Sequence, residues 1–226
     1  MLPSGVVKEV GMPAAGTRKP MRERFREQVR EEVKAAALAQ LAAGGAQAIS
    51  INAIAKELGV SGPALYRYFS SRDELLNVLV IDAYRDLRDA MAKALDTEAP
   101  DAEARIRLLA AAYRAWARAE PHRYELLFKA PFPGYDAHAK PLAEAARALM
   151  GVVLGVLHDT TGKPYQNEEV LVARRANTEN HQLAVALWSR LHGFVSLEIG
   201  GGFTAMGLDT DALFENEVQV LTDRAT

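Results

Sequence analysis

The chain has 226 residues, 49% of them hydrophobic and 25% charged, which is enough apolar material for one or two compact domains. It contains no cysteine, which excludes a disulfide scaffold, a thiolate zinc site and a cysteine nucleophile. The net charge of −2 hides an asymmetry: residues 1–72 hold 11 Lys/Arg against 6 Asp/Glu, a net of +5, and the rest hold 16 against 23, a net of −7. Such a split points to a DNA-facing end attached to an acidic body. The opening MLPSGVVKEV lacks the apolar run of a signal peptide, and no stretch reaches the roughly 18 apolar residues of a membrane span. The expected location is the cytoplasm, with the nucleoid, and away from membranes.

Residues 1–20 carry Pro3, Gly5, Gly11, Pro13, Gly16 and Pro20 and are expected to form a flexible tail. Arg18, Lys19, Arg22, Arg24 and Arg26 close it and open the first helix, a charge run that reads equally well as a solvated face. Phe25, Val29, Val33, Ala37 and Leu41 recur every four residues and predict one inward stripe on a helix that Gly44-Gly45 stops. A short helix is expected from Ile51 to Leu58 with Ser50 as its N-cap, then Gly59-Val60-Ser61, then a second short helix from Gly62 to Phe69. Ile54, Ala55 and Leu58 should face inward, with Val60 plugging the gap between the helices. Ser61 should cap the second helix, Pro63 should sit in its first turn, and Leu65 and Phe69 should return to the core. Two short helices set steeply across a three-residue turn make a helix-turn-helix.

The remainder also reads as helix. Leu75, Leu76, Leu79 and Val80 share a face of a long helix from about Arg72 to Leu95, and Ile106, Leu109, Tyr113 and Trp116 turn inward from a helix over 101–119. Pro121 opens a helix through Phe128, and Pro141 sits in the first turn of another that runs to about His158, where Gly162-Lys163-Pro164 follows. Helices from about Thr178 to Ile199 and from about Asp209 to Thr222 complete an all-α chain with no alternating strand pattern. The predicted organisation is a tail over 1–20, a three-helix, homeodomain-like helix-turn-helix domain over 21–71, and a larger helical regulatory and dimerisation domain over 72–226.

The outward residues of the second short helix suit DNA. Gly62, Pro63 and Ala64 keep its start small, so that backbone can approach base edges and Pro63 and Ala64 can touch thymine methyls. Arg67 has the reach for a guanine or a phosphate. Tyr66 and Tyr68 offer hydroxyls to phosphate oxygens, Ser50 and Ser61 add contacts at helix starts, and Arg72 points back toward the same backbone. Each piece alone has a purely structural reading; their joint occurrence at fixed offsets argues for function.

The stretch Ser50 to Leu76, SINAIAKELGVSGPALYRYFSSRDELL, resembles the DNA-binding domain of the TetR family of regulators. Ile54-Ala55, Gly59-Val60-Ser61, Tyr66, Tyr68-Phe69, Arg72 and Leu75 fill that family's pattern without a gap. The resemblance implies that Ser50, Tyr66, Tyr68 and Arg72 bind phosphates and that Asn52, Gly62, Pro63, Ala64 and Arg67 face bases. Gly62 departs from the longer polar side chains often found at its position.

Leu187 to Glu198, LWSRLHGFVSLE, is similar to the Trp/His/Gly helix of one TetR C-terminal subfamily. Trp188 and His192, four apart, share a helical face that either borders a ligand cavity or packs between helices with His192 hydrogen-bonded in the core. Tyr113, Trp116, Tyr124, Phe128 and Met150 are further candidate pocket residues, with Leu127 beside them and His122 or Arg123 as polar handles, and an apolar or aromatic effector is expected. The family likeness also implies a homodimer paired through its last two long helices, with Leu149, Val153, Val156, Leu187, Leu191 and Phe194 as candidate interface residues. A two-fold dimer matches a palindromic operator on double-stranded DNA. No nucleophile elbow and no HExxH spacing is present, and Gly200-Gly201-Gly202 follows a helix rather than a strand. No catalytic residue, metal ligand or cofactor is therefore expected. The function these features imply is a sequence-specific transcriptional regulator, a repressor that a small molecule releases from its operator.

Overall fold

A computed structural model describes residues 20–158 and 178–225. Among the described residues the regular structure is helical: α1 (Met21–Gly44), α2 (Ile51–Glu57), α3 (Gly62–Leu65), α4 (Arg72–Leu95), α5 (Ala102–Ala119), α6 (Pro121–Phe128), α7 (Lys140–His158), α8 (Thr178–Ile199) and α9 (Thr210–Ala225), with single 3₁₀ turns at Ala46–Ala48 and Thr204–Met206. The tail expected over 1–20 lies outside the described residues except for Pro20, as does the break at Gly162-Lys163-Pro164. No helix among the described residues is long and apolar enough to cross a membrane.

Local chemistry sets the helix ends. Gly45, at φ 71°, lets the chain leave α1 while its N–H still reaches Leu41 O at 2.7 Å. Asp101 caps α5 by accepting the Ala104 N–H at 2.8 Å. The start of α4 is a capping box displaced by one residue. Ser71 Oγ accepts the Glu74 N–H at 3.0 Å, and the Glu74 carboxylate reaches back to the Ser70 N–H at 2.6 Å and its hydroxyl at 2.5 Å. These bonds from Ser70 hold the Glu74 carboxyl below the usual carboxylate range.

The N-terminal core is built from Val33, Ala37 and Leu41 of α1, Ile54 and Ala55 of α2, Leu65 and Phe69, and Leu75, Leu76 and Leu79 of α4, all buried. Two side chains expected inside are not. Phe25 is 61% exposed, because the first turns of α1 extend past this core and burial begins at Val33. Val60 is 41% exposed: its N–H closes the turn on Ala55 O at 2.9 Å, and Ile54, Leu65 and Phe69 already fill the gap between the short helices.

At 24 residues, α4 is about 36 Å long and belongs to both domains. Its first half closes the N-terminal part of the core, and Ala83, Leu87 and Met91 carry the same core on into the larger domain, where α5 and α7 pack along it. α8 lies on α5 and α7, and α9 lies on α5 and α8. α1 touches α6 as well as α4, so the small domain meets the large one through two elements.

Candidate nucleic-acid interface and regulatory site

At the start of α2, Ser50 Oγ accepts the Ala53 N–H at 3.3 Å while the Ser50 N–H donates to Gln40 Oε1 at 2.9 Å, tying α2 to α1. Gly59, at φ 67°, supplies the left-handed residue of the turn. Ser61 precedes α3, but its carbonyl rather than its hydroxyl serves the helix, accepting the Ala64 N–H at 2.9 Å; the expected side-chain cap is absent. The α-helical part of α3 ends at Leu65, short of the expected Phe69. The chain then tightens through Arg67 N–H to Ala64 O at 3.3 Å and Tyr68 N–H to Leu65 O at 2.9 Å, which swings Phe69 into the core.

This geometry leaves Ser50, Asn52, Ser61, Pro63, Tyr66 and Arg67 exposed and Gly62, Ala64, Tyr68 and Arg72 partly covered. A guanidinium missed by sequence reasoning braces the far side of the turn: Arg30 donates to Tyr68 O and lies 4.1 Å above the Phe69 ring. Arg72 differs from its expected role. Its Nε donates to Ile49 O at 2.9 Å and its Nη2 to Ala46 O at 2.6 Å, so it points into the chain leaving α1 and ties α4 to it.

In the larger domain, five of the seven candidate pocket residues meet. Tyr113 of α5, Tyr124 and Phe128 of α6, and Trp188 and His192 of α8 form one aromatic cluster. Tyr113 meets Trp188 edge-on at 5.2 Å, Phe128 lies 4.3 Å from the imidazole, and the indole and imidazole stack at 6.2 Å. Tyr124 Oη is its polar hub, at 3.0 Å from His192 Nδ1, 2.8 Å from Ser196 Oγ and 3.3 Å from Tyr113 Oη. Sequence reasoning missed Ser196, although the spacing 188, 192, 196 places it on the same helical face. Burial lowers the His192 pKa and keeps the ring neutral near pH 7, and burial raises both tyrosine pKa values. Across α5, α6 and α8 the hydroxyls of Tyr113, Tyr124 and Ser196 and the His192 imidazole bond to one another.

Trp116 stands apart from it. Its indole N–H donates to Asp86 Oδ2 at 3.0 Å, and Arg123, itself 2.7 Å from Asp86, lies over the indole. Met150 is half-buried on α7 against the general core. Next to Tyr113 in sequence, Arg114 clasps three helices: it forms a two-bond pair with Glu198 of α8 at 2.9 and 2.6 Å, and its Nη2 lies 2.7 Å from Asp211 of α9.

The candidate dimer residues need correction. Leu149, Val153, Val156, Leu187 and Leu191 are all buried within the single chain, because α7 and α8 pack on each other and on α5. Phe194 is half-buried against Phe203 and Phe214. Among the described residues, the large apolar side chains that α8 and α9 leave exposed are Val185, Leu197 and Val220.

Comparison with known proteins agrees with this architecture. The family profile for bacterial regulatory proteins of the tetR family matches residues 34–79, and that for a tetracyclin repressor-like C-terminal domain matches residues 106–221. The HTH-type transcriptional regulator Rv1816 of Mycobacterium tuberculosis is 31% identical over 218 residues, covering 88% of this chain and 93% of its own. The crystal structure of the regulatory protein SCO4313 is 43% identical and superposes with a TM-score of 0.75 over 89% of this chain and 98% of that one. The transcriptional regulator FadR from Bacillus subtilis, solved in complex with stearoyl-CoA, shares the fold at 14% identity, with a TM-score of 0.61 over 85% of this chain and 97% of its own. A helix-turn-helix with its second helix exposed, joined by a shared long helix to an all-helical domain and matched along most of its length by regulators of one kind, makes this chain a member of the TetR family of DNA-binding transcriptional regulators.

Proposed function

We propose that the chain is a homodimeric repressor that holds a palindromic operator and releases it when a small molecule enters the larger domain. The observation that carries the DNA half is the exposure of Pro63, Tyr66 and Arg67 around α3, over a core that fixes the helix in place. In this reading Pro63, Ala64, Arg67 and Asn52 meet bases, while Ser50, Ser61, Tyr66 and Tyr68 position phosphates. Arg72 supports them from within the protein.

The dimer forms through α8 and α9 with Val185, Leu197 and Val220 at its centre, since these are the apolar side chains left uncovered. The partner sets the two α3 helices roughly 34–36 Å apart, one turn of DNA. The effector is an apolar or aromatic compound with at least one hydrogen-bonding group. It inserts between α5, α6 and α8 and exchanges the internal bonds of Tyr124, His192 and Ser196 for its own. It acts only through its differential affinity for two conformers, and α4, buried along its length in the core that the two domains share, carries the difference to α3.

Selection of operators from random duplex DNA by the full chain, followed by titration of compounds against the complex, tests this. The expected result is one preferred palindrome and its release by some compounds; long-chain acyl-CoA thioesters are a first probe because the FadR neighbour was solved with one. Binding without sequence preference at any salt concentration overturns the reading.

A further inference from the structure

Most arginines of the larger domain are committed: Arg107 to Glu103 and Glu215, Arg114 to Glu198, Arg123 to Asp86. The opposite holds at one place. Arg22 and Arg26 of α1 and Arg67 beyond α3 line a single concavity with Phe25 and Tyr68, and none of the three arginines has an ion-pair partner among the described residues. The lining carries three guanidinium groups and no carboxylate, so the concavity suits an anion. The groove has an apolar floor as well: Phe25 is 61% exposed, a ring left in water among cations. Alternating cationic and apolar groups match a sugar–phosphate backbone, where phosphates meet arginine and deoxyribose edges meet a ring. The groove is continuous with the α3 surface because Arg67 and Tyr68 belong to both.

We infer that the first two turns of α1 form a second grip on the operator, in which Arg22 and Arg26 hold phosphates flanking the half-site read by α3 and Phe25 packs on the sugars between them. This rests on the DNA-binding reading above and adds to it a wider footprint. The grip supplies affinity and register and reads no bases. α1 therefore approaches the duplex whenever α3 does and leaves with it on release.

The test uses the full chain and its selected operator. In the double variant Arg22→Ala/Arg26→Ala, the slope of log affinity against log salt should fall by about 3.6, which is about 0.9 for each of the four phosphates that the two protomers no longer neutralise, with the selected sequence unchanged. Trimming the DNA outside the half-sites should weaken wild type and leave the double variant unaffected. Arg22→Lys/Arg26→Lys keeps the charges and should keep the slope, and Phe25→Ala should weaken binding with the slope intact. All three positions carry solvent-facing side chains on a helix, and circular dichroism melts check that each variant is folded. An unchanged slope in the double alanine variant overturns the second grip while leaving the α3 interface standing. Failure of wild type to select any sequence overturns the DNA-binding reading itself.

Discussion

The carboxamide oxygen of Asn52 stands where a side chain on residue 62 would have to go: a Cβ built on Gly62 would lie 3.1 Å from Asn52 Oδ1. The exposed amide at the start of α2 thus overhangs the start of α3, and the missing side chain at 62 is what lets it do so. Asparagine pairs bidentately with adenine in the major groove, so in the proposed interface Asn52 offers from the neighbouring helix the polar group that Gly62 lacks. Asn52→Ala should lower discrimination at one A·T pair per half-site by about 1–3 kcal/mol, measured as anisotropy titrations of operator variants. Gly62→Ala should displace the amide and weaken binding to the preferred operator without changing thermal stability. Equal discrimination by wild type and Asn52→Ala would remove Asn52 from the reading set.

Arg72 gives a prediction that separates holding the protein from holding DNA. Its bonds to Ile49 O and Ala46 O join the start of α4 to the chain leaving α1, and its side chain is only 29% exposed. Arg72→Ala should destabilise the chain by about 1–3 kcal/mol, since it removes the donor to Ile49 O and leaves Ala46 O with the Ile49 N–H alone, as read from denaturant melts. The salt slope of operator binding should stay at the wild-type value. A slope reduced by about 1.8, one phosphate from each protomer, with unaltered stability would instead make Arg72 a phosphate ligand.

The helix-turn-helix was legible because its signals are local: an N-cap serine, a glycine at φ 67° and a proline in the first turn of α3 fix the turn through neighbours a few residues away. Helix type and order in the larger domain were legible for the same reason, through a four-residue periodicity. What the sequence could not reveal is which of two apolar faces meets what. Leu149, Val153, Val156, Leu187 and Leu191 read as surplus for a partner, yet α5, α7 and α8 cover them, because burial depends on the packing of helices distant in sequence. Trp116 shares its aromatic character with Tyr113, but three residues along a helix carry it to Asp86. Ser196 had a readable signal in its four-residue offset from His192, a weak one because serine is common on any helix.

The His192 pKa, lowered by burial, makes stability depend on pH in a definite direction. The unfolded imidazole titrates near 6.5 and the folded one below it, so between those values the unfolded chain binds the extra proton. Stability therefore declines as pH falls through 6.5 and levels off once the folded ring is also protonated. Urea melts between about pH 5 and pH 8 should show this decline in wild type and a flatter profile in His192→Gln. Tyr124→Phe should cost about 1–3 kcal/mol at neutral pH, because Ser196 Oγ and His192 Nδ1 lose their shared partner in a buried setting. Under the proposed release mechanism it should also shift effector titrations, since that mechanism has the effector displace the same hydroxyl. A His192→Gln profile as steep as wild type would assign the pH dependence to other groups.

Arg114 and Glu198 offer the sharpest stability test, because their side chains are only 10% and 12% exposed and the pair joins α5 to α8. Asp211, at 73% exposure, adds a screened contact from α9 worth little alone. Arg114→Met leaves the Glu198 carboxylate buried without its cation and should destabilise the chain by about 3–5 kcal/mol. Replacing both partners, as in Arg114→Met/Glu198→Leu, removes the orphaned charge and should recover most of that loss. If the pair merely staples the helices, operator affinity in the double variant should match wild type. If it sets the angle of α8 and α9, and through them the spacing of the two α3 helices, the double variant should be as stable as wild type yet bind the operator more weakly. Because Tyr113, the adjacent residue, touches His192 on the same helix, any effector that shifts α5 must work against this clasp, and the second outcome is the one expected. A denaturant melt together with an operator titration on the same double variant distinguishes the two.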